Sequence, residues 1–118
     1  MAQNDMEIIM YKILSYLYKC MKEGKRPRAE DMGCDCQMFH IPECYWGQIM
    51  DELILGGYVR GFDRIQTKGA TIIQMQDGAG ITYKGREFLE ENTGMKRAAA
   101  FLGGAFSVLL DGIVGAII

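Results

Sequence analysis

The spacing of apolar residues changes period partway through residues 41–62. Trp46, Ile49, Met50 and Leu53 recur every three or four positions, the spacing of one helix face. Pro42 stands just before them, where its fixed φ suits a first helical turn. Gly56 and Gly57 follow and stop the helix, since glycine accepts the left-handed cap conformation cheaply. Tyr58, Val59 and Phe62 then read as a strand.

Upstream, Met6, Ile9, Met10, Ile13, Leu17 and Met21 make a broad apolar stripe, capped by Asn4 or Asp5 and running to about Glu23 before Gly24. Lys12, Lys19, Lys22 and Arg26 lie near its opposite side, as a solvated face or a phosphate-facing stripe. After the breaker Lys25-Arg26-Pro27-Arg28, residues Ala29 to Met32 predict one or two helical turns. Downstream, Tyr58–Ile65 and Thr71–Gln76 predict two strands joined by a turn at Thr67-Lys68-Gly69-Ala70, and Asp77-Gly78-Ala79-Gly80 predicts their end. Thr82 can cap a helix from Tyr83 to about Asn92. Its buried side is Phe88 and Leu89, its point of close approach Gly85 and its stop Gly94. Three helices followed by a hairpin predict an α+β fold, a winged helix-turn-helix with a two-stranded wing and Trp46 enclosed in its core.

The last segment differs. From Ala98 to Ile118 the only charged side chain is Asp111, and the run is long enough for the roughly 20 residues that cross a bilayer core. Lys96 and Arg97 precede it, and Gly103, Gly104, Ser107, Gly112 and Gly115 are small residues of the kind that pack membrane helices. Against a span, Asp111 in hydrocarbon costs about 2.5–3.5 kcal/mol. Ala100, Gly104, Ser107, Asp111 and Gly115 also share one helix side, with Leu102, Phe106, Leu109, Ile113 and Ile117 largely elsewhere. The expected division is residues 1–94 as the winged-helix domain and 95–118 as a hydrophobic helix that packs, self-associates or anchors to a membrane.

Composition narrows the function. At 118 residues, 49% of them hydrophobic, the chain can bury one modest core, and this composition argues against disorder. A net charge of −2 provides no overall basic field to attract nucleic acid, which leaves local patches. The first residues show no basic n-region or apolar signal core, so a cytoplasmic location with reduced Cys20, Cys34, Cys36 and Cys44 is expected, membrane association being the alternative.

Cys34, Cys36, His40 and Cys44 form the one candidate metal set, a Cys₃His group spaced C-x-C-x₃-H-x₃-C. The spacing departs from paired zinc knuckles and compresses four ligands into one short segment, so half-buried thiols beside a surface histidine compete with zinc. Catalysis is not expected. His40 is the single histidine, Ser15 and Ser107 the only serines, and the adjacent pairs Asp51-Glu52 and Glu90-Glu91 point to different helix sides. No cofactor or small-molecule substrate is inferred. DNA is a candidate partner through Gln48, the one plausible base reader of the third helix, and through Arg60, Arg64 and Lys68 of the wing. That helix also carries Glu43, Asp51 and Glu52 and no Lys or Arg, so a winged helix that binds protein is equally open.

Three pieces, YKILSYLYKC at 11–20, YWGQIMDELILGGYVRG at 45–61 and ITYKGREFLEENTGMKRA at 81–98, together resemble the YjcQ-type family of small winged-helix phage and prophage proteins. The resemblance implies a fold and a phage-like origin and brings no catalytic residues. The expected function is a non-enzymatic regulatory or accessory factor that contacts DNA through the wing. The alternative is an interaction module that works through its C-terminal helix without nucleic acid.

Overall fold

The computed structural model describes all residues, 1–118, and is α+β. Five helices, α1 (Met6–Glu23), α2 (Ala29–Met32), α3 (Glu43–Leu55), α4 (Tyr83–Glu91) and α5 (Thr93–Gly115), surround one antiparallel hairpin, β1 (Val59–Thr67) and β2 (Ala70–Ile81). The core is a single cluster centred on α1. Ile9, Ile13, Leu14, Tyr16 and Leu17 are fully buried there against Ile49, Met50 and Leu53 of α3, Ile81 at the hairpin base and Met95 of α5.

The α1 stripe is therefore wider than its spacing predicts, and it takes in one lysine. Lys12 is buried and its Nζ donates to the Met38 carbonyl at 2.8 Å, so it is not part of a solvated stripe. Burial lowers its pKa. At the far end of α1 the Tyr16 hydroxyl donates to Asp31 Oδ2 at 2.8 Å and accepts from the Arg28 backbone N–H at 2.8 Å. Arg28 Nε and Nη2 hold the same Asp31 carboxylate at 2.8 and 3.0 Å. This closed network fixes the short α2 against α1.

Trp46 is half-buried, where the apolar face of α3 predicts full enclosure. Its indole N–H donates to the Met32 carbonyl at 2.9 Å, and that bond holds the ring at the edge of the core.

The hairpin is longer than its β-branched pattern predicts. Pairing runs from Thr67↔Ala70 to Phe62↔Met75, breaks, and resumes at Arg60↔Gly80 and Val59↔Ile81. The residues between Met75 and Gly80 thus bulge the strand, and the turn-like run Asp77–Gly80 does not end it. The bulge needs Gly61, at φ +76, because a Cβ there would stand 2.5 Å from the Ala79 Cα. Phe62, Arg64, Ile73 and Met75 face inward. Ile65 and Ile72 pair across the outer face, 43% and 50% exposed.

Thr82 caps α4 as expected, accepting from the Gly85 N–H at 3.0 Å. A Cβ on Gly85 would lie 2.0 Å from the Tyr58 carbonyl oxygen, so only glycine lets α4 seat on the hairpin base. Gly94 does not stop a helix. Asn92 ends α4 and its side chain caps α5 by accepting from the Met95 N–H at 3.2 Å, which places Gly94 in the first turn of α5.

By length and composition α5 could cross a membrane, yet it is not one straight rod. Gly103 adopts φ 64, ψ −160 and breaks the helix into 93–102 and 104–115, each shorter than the roughly 20 residues a span needs. Phe106, Leu110, Ile113, Val114 and Ile117 turn inward and Leu109 is left partly exposed, while Ala100, Gly104, Ser107, Asp111 and Gly115 face solvent. Asp111 receives Lys19 Nζ at 2.6 Å, and Lys25 Nζ donates to the Val114 carbonyl at 3.0 Å. The partner charge of Lys19 and a cation at the carbonyl end of the helix both tie α5 to α1.

Candidate interaction site

The open face of the molecule lies between α3 and the inner side of the hairpin. Gly47 is buried with its missing side chain near the Thr71 carbonyl, which brings the N-terminal half of α3 close to β2. Two depressions result. One is a polar cleft of about 460 Å³ lined by Glu43, Gln48, Asp51, Gln66, Thr67 and Thr71 among others. The other is an apolar pocket of about 260 Å³ walled by Met32, Cys34, Trp46, Phe62, Ile73 and Met75. Glu43, in the first turn of α3, borders both.

The predicted nucleic-acid residues are scattered across this geometry. Gln48 is exposed and lines the polar cleft. Arg64 points into the hairpin's inner side and is bound to Asp51: its Nε donates to Oδ1 and its Nη2 to Oδ2 at 3.3 Å. That bond raises the Arg64 pKa. Lys68 sits in the hairpin turn next to the cleft. Arg60 is at the other end, paired with Gly80 beside Lys25 and Pro27, roughly 26 Å from Lys68 at strand rise. Gln48 and Lys68 therefore flank one cleft, Arg64 is already neutralised by α3, and Arg60 belongs to a different surface.

The cysteine segment does not gather either. No three His, Cys, Asp or Glu side chains converge as a metal site. His40 Nδ1 lies 3.0 Å from Asp35 Oδ1 with both side chains exposed. Cys36 turns inward, and burial pushes its thiol pKa up, the reverse of what a thiolate ligand needs. Cys34 lines the apolar pocket, while Cys44 is exposed and lines the polar cleft.

The pocket residues Phe62, Ile73 and Met75 were legible only as the inward side of a strand. Alternation shows which residues face α3, but not that the facing surfaces stand far enough apart to leave a void. Glu43 reads from sequence as one more acid in a first turn.

The structure is thus an α+β unit with an open surface between a helix and a hairpin. The model of the YjcQ protein family matches residues 11–102, and the chain belongs to that family. Membership supports a phage or prophage lineage. No curated protein and no solved structure matches.

Proposed function

We propose that this chain is a non-catalytic winged-helix accessory protein of phage type whose α3–hairpin face docks a protein and not DNA. The Arg64–Asp51 pair carries the reading. The one inward cation of the hairpin is spent on α3, and the helix still presents Glu43 and Glu52, with no Lys or Arg of its own, to whatever approaches. A polyanion meets repulsion there. The outward Ile65–Ile72 pair supports the same reading, since a hairpin that tracks phosphates gains nothing from two exposed isoleucines.

A duplex titration by fluorescence anisotropy tests it. The wild-type chain should show no saturable binding at roughly micromolar concentrations in low salt, while Asp51→Asn, which releases Arg64, should gain salt-sensitive binding. Saturable wild-type binding that is lost in Arg64→Ala plus Lys68→Ala would restore the DNA reading.

The outer strip of α5 favours a second mode of action. Phe101, Val108 and Leu109 are exposed on the otherwise apolar helix and fit self-association with a second copy. Light scattering should then give a dimer for the wild type and a monomer for Val108→Glu. A monomeric wild type excludes this mode.

A further inference from the structure

We propose that the pocket between α2, α3 and the hairpin is an anchor site for one aromatic or large aliphatic side chain of a partner polypeptide, with an arginine or lysine next to that residue held by Glu43. The inference rests on the protein-docking reading and specifies its contact.

Three features carry it. First, the walls are apolar and chemically mixed: the Trp46 ring, Phe62, Ile73, Met75 and Met32. Aromatic and methionine walls adapt to an inserted side chain, and such pockets are where binding energy concentrates in interfaces. Trp46 itself is immobilised by its bond to the Met32 carbonyl at 2.9 Å, so the wall is preorganised. Second, at about 260 Å³ the pocket is smaller than the roughly 300–1,000 Å³ of small-molecule sites. It suits a single side chain better than a free ligand. Third, the only carboxylate on its wall is Glu43, which is exposed and takes part in none of the ion pairs in the structure. A cation is the charge that complements it.

Glu43 also borders the polar cleft, so the two depressions lie on either side of that residue. A polypeptide that seats its apolar residue by Trp46 and its cation on Glu43 can run on past Gln48 and Thr71, where the cleft offers amide and hydroxyl groups. A small amine would leave that cleft unused.

Trp46 is the only tryptophan, so its fluorescence reports the pocket directly. The probes are the capped pentapeptide acetyl-Gly-Phe-Arg-Ser-Gly-amide, its Phe→Gly and Arg→Glu forms, and phenethylammonium. The Phe-Arg peptide should give a saturable change in Trp46 emission. The Phe→Gly form should give none. The Arg→Glu form should bind about three- to fivefold more weakly, the scale of an exposed ion pair, and Glu43→Gln should remove that difference. Glu43 is exposed, so the variant keeps the fold, and its far-UV spectrum checks this. The proposal is overturned by no saturable change with the Phe-Arg peptide, by equal binding of the Arg and Glu forms, or by phenethylammonium binding as tightly as the peptide. Such a failure together with a wild type that ignores DNA removes the anchor alone. Tight duplex binding removes the docking reading beneath it.

Discussion

The two sides of α1 are finished in different ways. On the α5 side the charges are answered within the chain. Phe106, Leu110, Ile113 and Val114 fill the groove, Lys19 answers Asp111, and Lys25 answers the last carbonyls of the helix. On the α3–hairpin side two depressions stay open, one apolar and one polar, and Glu43 between them has no partner. Both sides join apolar walls to charges at the rim, but the cations Lys19 and Lys25 are paired on one side and the Glu43 carboxylate is unpaired on the other. That unpaired surface is the basis of the docking proposal.

The largest expected effect lies on the α5 side. Phe106→Ala should destabilise the chain by about 3 kcal/mol in urea unfolding, since it empties a sealed site beside Tyr11. Ile73→Ala, on the wall of the open pocket, should cost under about 1 kcal/mol because water already reaches that space. Equal costs would erase the distinction between the two sides.

Tyr16→Phe comes next. It leaves the Arg28 N–H without its acceptor in the buried network and should cost about 1–3 kcal/mol. Burial also raises the Tyr16 pKa above its ordinary value of 10.0. The folded tyrosine keeps its proton after the unfolded one loses it, so the unfolded state binds fewer protons above that value and stability falls as pH rises. The wild type should therefore lose stability more steeply than Tyr16→Phe above pH about 10, in paired unfolding curves. Parallel curves would show that this hydroxyl is not enclosed.

Much of this arrangement was written into the residues. The switch from helical to alternating spacing around Gly56 and Gly57 placed α3 and β1, Thr82 announced α4, and Gly85 announced a close approach whose partner, Tyr58, only the structure identifies. What sequence could not show came from interactions between distant segments. Lys12 reads as solvated until the Met38 carbonyl, far along the chain, folds over it. Arg64 reads as a free cation until the hairpin twist brings it onto Asp51. Gly103 is one small residue among several in the tail, and nothing local distinguishes the one that breaks the helix. The pocket was illegible because it is a gap between elements, and no residue encodes a gap.

Collisional quenching of Trp46 by caesium and by iodide tests the central claim most directly, because it reads openness and charge at the α3–hairpin face together. With each quenching constant divided by that of free N-acetyltryptophanamide, an open, acidic face predicts quenching by both ions with the caesium ratio clearly the larger, and a smaller gap between the ratios once Glu43→Gln removes the rim charge. A larger normalised ratio for iodide, or no quenching by either ion, would contradict the account.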